Sequence, residues 1–224
     1  MSIFHWLLEF GYWLTNTLTH IFPFVEPGRH IENPSEKTSI VIFSPSFTGP
    51  ILYYFAKKYF EKRGFQIYII NFSNEMKNLE TAAVKMGNIL KGIDREHICL
   101  VGISGAGLVA YEYLNDQSGW KNVKSFIAIA VPFKGTKMAY FQYFTKTGRQ
   151  LLPSSTYIKR LSEIKPKNLD QTYCIIAKQD ELVPRESSKI KGAHIIDLPV
   201  IGHVHLHAYS KLTFDAIIEI AKKQ

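Results

Sequence analysis

Six apolar runs constrain this chain more than any other feature of its sequence. They cover residues 39–43, 66–72, 97–101, 125–131, 172–177 and 193–198, and are rich in Ile, Val, Phe and Tyr. They lack the clean apolar–polar alternation of a strand with one wet face. Runs of this kind read as strands buried on both faces, which is the condition of a parallel sheet. Helical patterns separate them. Residues 50–63 end at Gly64, a residue suited to closing a helix. In residues 79–93, Leu79, Ala82, Ala83, Met86, Ile89, Leu90 and Ile93 recur at helical spacing. Residues 105–114 follow the third run directly, and residues 209–222 close the chain. Strand alternating with helix predicts a doubly wound, mostly parallel α/β sheet of about six strands. A length of 224 residues, 46% apolar and 21% charged, suits one such domain with a substantial core.

Two parts of the chain depart from that rhythm. Residues 1–30 are strongly apolar and aromatic, with no Lys or Arg before Arg29. A secretory leader needs a basic start and a small-residue cleavage site, and neither is visible. Ser2, His5, Glu9, Asn16 and His20 form one narrow polar stripe on a helix that is otherwise apolar. The segment therefore packs on its own domain or a partner subunit, or lies in a membrane surface through residues 1–25. A polar stretch around Pro34 leads into the main domain, residues 31–224. The second departure is the connection at about 133–169, too long for a simple crossover. Long insertions in compact domains are often functional lids. Its aromatics either form such a lid or merely cover the sheet.

The charge balance, 27 basic against 19 acidic residues, gives +8 spread along the chain. That predicts a cationic surface suited to anionic membranes and, with no nucleic-acid motif, no nucleic-acid groove. Cys99 and Cys174 lie within apolar runs and read as small core residues.

The sharpest local signal is Val101-Gly102-Ile103-Ser104-Gly105-Ala106-Gly107, where an apolar run enters a Gly-rich turn and then a helix. A serine on such a turn stands exposed at a helix N-terminus, where N–H groups and the dipole favour a developing oxyanion. The spacing fits neither G-x-G-x-x-G nor a GK[ST] phosphate loop. A serine needs a base, and the base an orienting acid. A nucleophile on this turn takes them in the order Ser, acid, His. Asp180 follows the fifth run and His203 the sixth, so all three are placed at strand carboxyl ends, along one sheet edge. The segment Ser44-Pro45-Ser46-Phe47-Thr48-Gly49 after the first run is placed to supply a second oxyanion donor, making the backbone N–H groups of Phe47 and Gly105 the candidate hole. His205 is a possible substitute base, and Asp197 a substitute acid. His203, His205 and His207 would share one face of an extended chain, an arrangement open to zinc.

From about Ser39 to its end the chain resembles bacterial lipases and esterases of the α/β-hydrolase superfamily, including lipases related to glycolipid-anchor deacylases. Four segments carry the resemblance: residues 41–49, the turn around Ser104, Val131-Pro132-Phe133-Lys134-Gly135-Thr136-Lys137-Met138-Ala139, and Asp180-Glu181-Leu182-Val183-Pro184 with Ser187 and Ser188. It implies a Ser104–His203–Asp180 triad and no cofactor or metal. Departures are Ala106 for the last Gly of G-x-S-x-G, Pro45-Ser46 for His-Gly, and Phe133 for a His. A methyl at Ala106 is expected to tighten the helix–strand contact.

The expected activity is hydrolysis of lipid-like or other apolar acyl esters through an acyl-enzyme, with the acyl chain against Phe47, Met138, Tyr140 and Phe141. The same triad also serves an acyltransferase or thioesterase, and the fold also serves a non-catalytic binding or membrane-docking protein. A cytoplasmic or peripheral-membrane location is the expectation. Oligomeric state is not legible in the sequence.

Overall fold

The computed structural model describes residues 7, 9–11, 36–44, 50–72, 75–93, 97–117 and 119–223. Six strands form one sheet: β1 (Ser39–Ser44), β2 (Ile67–Asn71), β3 (Ile98–Ile103), β4 (Val123–Ile129), β5 (Thr172–Gln179) and β6 (His194–Ile201). Their order is β2-β1-β3-β4-β5-β6, and every pairing is parallel. Among the described residues from Glu36 onward the α-helices are α1 (Tyr54–Glu61), α2 (Leu79–Lys91), α3 (Gly105–Asp116), α4 (Lys146–Gln150), α5 (Thr156–Glu163) and α6 (Lys211–Lys222).

The inner strands have apolar side chains on both faces, as their composition requires. Val41, Phe43, Leu100 and Phe126 meet Ala82, Met86, Val109 and Tyr157 on one side. Ile40, Ile42, Val101 and Ile127 meet Ala56, Phe60, Phe214 and Ile217 on the other. β1 and β3 are buried throughout. β2 and β6 are the sheet edges and depart from the doubly buried expectation. β6 is exposed or half-buried at every position but Val200. An edge strand has one neighbour fewer, so its apolar residues, Ile195 among them, are only partly covered.

Helix ends are set by short polar side chains. Asn78 accepts from Glu80 N to start α2, and Ser210 accepts from Thr213 N to start α6. The two cysteines are buried and free, in opposite cores. Burial pushes the Cys99 thiol up to about 12, so it behaves as a small apolar residue.

The 133–169 connection divides in two. In α5, Tyr157, Ile158 and Leu161 are buried in the core. In the preceding turn, Tyr140, Phe141, Tyr143 and Phe144 are exposed. The later half covers the sheet, and the earlier half holds its aromatics outward. Among the described residues no helix is long and apolar enough to cross a membrane.

Candidate active site

The chain winds from β1 to β2 on one side, then returns to β3 on the other side of β1. The direction of winding therefore reverses between β1 and β3, and the carboxyl ends of such strands flank a crevice where open α/β sheets bind ligands. Ser104 follows β3 there. Its φ of 49° lies in the left-handed region, uncommon for a residue with a Cβ. Such a conformation costs about 1–3 kcal/mol and persists where the surroundings impose it. Here Ser104 N donates to Ile129 O at 2.9 Å, and Ser104 O accepts from Gly107 N at 3.0 Å. The hydroxyl does not cap α3, and the residue is half-buried. Gly105 N–H is among the first donors of α3, which have no acceptor within the helix.

Glycine makes the turn possible at Gly102, the first glycine of the motif, and at Gly107, one position past the motif's end. A Cβ on Gly102 would lie 2.6 Å from Gly107 Cα, and one on Gly107 would lie 2.1 Å from Val131 Cγ2. The tight helix–strand approach is therefore Gly102 on Gly107. Ala106 is fully buried in the core beside it, so the expectation that its methyl tightens that contact is corrected by one position.

Asp180 and His203 form a buried pair. His203 Nδ1 lies 2.8 Å from Asp180 Oδ2, with side-chain exposures of 4% and 5%. Asp180 Oδ1 accepts from Leu182 N and Val183 N, both at 2.8 Å. The loop after β5 thus fixes the carboxylate before it meets the ring. An Asp180 acceptor at Nδ1 selects the tautomer that leaves Nε2 as the free base. Burial disfavours the imidazolium, but Asp180, then Glu181 and Glu9, more than offset it and raise the His203 pKa above its ordinary value.

Two segments singled out by sequence are tied together beside this pair. Phe133 N donates to Ser187 O, Lys134 N to Ser187 Oγ, and Ser187 Oγ to Gly135 O. Thr136 Oγ1 donates to Leu182 O. Phe133 packs edge-on against Tyr111, so its ring is a packing element.

The other candidates fall as follows. Phe47 lies outside the described residues, as do Pro45, Ser46 and Gly49. Met138 is partly exposed, and Tyr140 and Phe141 are exposed. Asp197 pairs with Arg185 at 2.6 Å on the surface, away from His203. The three histidines do not share an extended face, because the backbone is helical from His203 to Tyr209. His207 is buried, packs its ring edge-on to His203, and meets Tyr53 Oη through Nδ1 at 3.1 Å. Burial, with His203 nearby, lowers its pKa well below the usual value.

Sequence reasoning missed Glu181 and Glu9, whose carboxylates accept backbone N–H groups at and after His203. It also missed Met76 and Leu151, the side chains nearest to where a Cβ on Gly105 would stand. Glu9 had a signal only as one position of the polar stripe, and Glu181 only as the neighbour of Asp180 in the acid-bearing segment.

An all-parallel six-stranded sheet with a strained serine after β3, and an acid and a histidine after β5 and β6, defines the α/β-hydrolase fold. Solved structures share it. A mature lipase of Bacillus licheniformis superimposes with a TM-score of 0.71 at 14% identity, over 88% of this chain and 97% of that one. An α/β hydrolase from the sediment metagenome of the Mar Chica lagoon gives 0.62 at 14%, over 89% and 99%. A carboxylesterase structure from Nitrososphaera gargenis gives 0.57 at 12%, over 88% and 94%. No protein-family model matches the sequence, and no curated protein matches it.

Proposed function

We propose that the protein is a serine carboxylic-ester hydrolase acting on lipid-like or other apolar acyl esters. The observation that carries this reading is the buried His203–Asp180 pair at 2.8 Å, on the strand-end edge that also carries Ser104 in its left-handed turn. Lipases and carboxylesterases among the structural neighbours support the same class.

In this reading Ser104 Oγ attacks the acyl carbonyl carbon. His203 Nε2 takes the hydroxyl proton, and Asp180 stabilises the imidazolium through Nδ1–H. The oxyanion points at Gly105 N–H and, from the loop after β1, Phe47 N–H. Collapse breaks the ester C–O bond, and His203 returns the proton to the leaving alcohol. Water then attacks the acyl-enzyme by the same proton route, releasing the acid and restoring Ser104. Phe47, Met138, Tyr140 and Phe141 form the apolar wall for the acyl chain. Leu7 and Phe10 are exposed on the segment whose Glu9 is buried, which favours a membrane surface, met through residues 1–25, as the source of substrate.

The test is a panel of p-nitrophenyl esters of rising chain length, assayed with the full chain and with Ser104→Ala. Turnover that rises beyond the acetate and disappears in the variant is expected. Equal hydrolysis by both proteins would refute the serine mechanism, and a preference for acetate would refute the apolar acyl substrate.

A further inference from the structure

Glu9 reaches the site from 195 residues upstream. Its side chain is buried, and both carboxylate oxygens are used. Oε2 accepts from Val204 N at 3.1 Å and Oε1 from His205 N at 3.0 Å. These donors open the helical turn that follows His203, where backbone N–H groups lack acceptors within the turn. Gly202 makes the seat. Its φ is +105°, and a Cβ there would lie 1.9 Å from Glu9 Oε1. On the other side, His203 N donates to Glu181 Oε2 at 3.0 Å. Three successive N–H groups, 203 to 205, are therefore each held by a carboxylate, while Asp180 holds the ring. Among the described residues Glu181 Oε1 is buried without a hydrogen-bond partner, so the cluster concentrates negative charge beside the imidazole.

We propose that Glu9 is a positioning residue for His203: its carboxylate belongs to the active site and fixes the backbone that carries the base. The proposal rests on the reading of His203 as that base. Burial, and then Glu181, push the Glu9 carboxyl up to about 7 against the pull of its two backbone donors. The charged or titratable groups facing His203 are Asp180, Glu181, Glu9 and His207, with His205 two residues on. Ionised Glu9 favours the imidazolium, so its loss makes the ring easier to deprotonate.

The test uses Glu9→Ala and Glu9→Gln in the full chain, with folding checked by circular dichroism. Glutamine keeps the shape and one acceptor oxygen, so it carries the test if the alanine variant fails to fold. On p-nitrophenyl acetate, kcat is expected to fall by about tenfold or more in Glu9→Ala and by less in Glu9→Gln, at unchanged KM, since small displacements of a catalytic group cost rate more than binding. The midpoint of the His203 imidazole titration, followed by NMR and assigned with His203→Gln, is expected to move to lower pH in Glu9→Gln. The acid limb of kcat/KM should move with it. Folded variants with wild-type kcat and an unmoved midpoint overturn the proposal. If Ser104→Ala retains wild-type activity, or wild type has none, the serine-hydrolase reading fails separately, and the midpoint then decides for or against Glu9 beside His203.

Discussion

His203 stands among three carboxylates, each with a different task. Asp180 meets the ring, Glu181 the backbone N–H of His203, and Glu9 the next two N–H groups. Asp180→Asn keeps the shape of the acid but offers the ring the wrong partner. It should lower kcat by about 10⁴, read in steady-state ester hydrolysis; a loss under tenfold would remove Asp180 from its role. The pH dependence of stability has a definite sign. Glu9 titrates near 7 in the fold against an ordinary 4.5, so the folded state holds that proton more tightly than the unfolded chain. The resulting stability is present below about 4.5 and is lost as pH rises through about 7. His203, also raised, acts in the same direction: its contribution is present below about 6.5 and lost as pH rises through its folded value. The urea midpoint of Glu9→Gln should therefore fall less between pH 5 and pH 8 than that of wild type. An equal fall would place Glu9 outside that buried site. The placement of Ser104, Asp180 and His203 after three strands, and the pairing of the last two, was legible because the expected chemistry fixes residue type and order. Glu181 and Glu9 were not, because a carboxylate that binds backbone N–H groups leaves no spacing in the sequence, and Glu9 contacts them only through the return of the whole chain.

β3, the turn at Ser104 and α3 act as one strand–turn–helix element, held by the approach of Gly102 to Gly107. A methyl on Gly107 would meet Val131 Cγ2 at 2.1 Å and Gly102 O at 3.0 Å, neither of which is the loose end of a long side chain. Gly107→Ala should cost about 1–3 kcal/mol, as overpacking of a tight interior does, and should lower activity by displacing the turn. Urea denaturation checks the first and ester hydrolysis the second; unchanged stability would contradict the close approach. Sequence located this element because apolar run, Gly-rich turn and helix follow without interruption. It placed the tight contact at Ala106 because a motif counts positions along the chain, whereas packing depends on which residue faces Val131. The edge character of β2 and β6 was hidden for a similar reason. An apolar run shows that a strand can be buried, and sheet order decides how far it is.

The whole molecule joins an α/β-hydrolase sheet to a stretch near the N-terminus of which Leu7 and residues 9–11 are described. Glu9 is buried against the His203 turn, while Leu7 and Phe10 are exposed at 62% and 55%. At these described positions a buried carboxylate and two exposed apolar side chains occur together. With a net charge of +8, Leu7→Asp combined with Phe10→Asp should reduce flotation with phosphatidylglycerol-containing vesicles while leaving hydrolysis of a soluble acetate ester unchanged. Undiminished flotation would remove that segment from membrane binding. The doubly wound sheet was legible at this scale from the alternation of runs and helices. The contact between the two ends of the chain was not, because nothing in either end names the other. The central claim is that this fold works through one activated serine, and a fluorophosphonate probe followed by peptide mapping tests it most directly. The account predicts stoichiometric modification of Ser104, absent in Ser104→Ala and strongly slowed in His203→Gln. A folded wild-type protein that takes no label, or that is labelled equally with Ser104 removed, would contradict it.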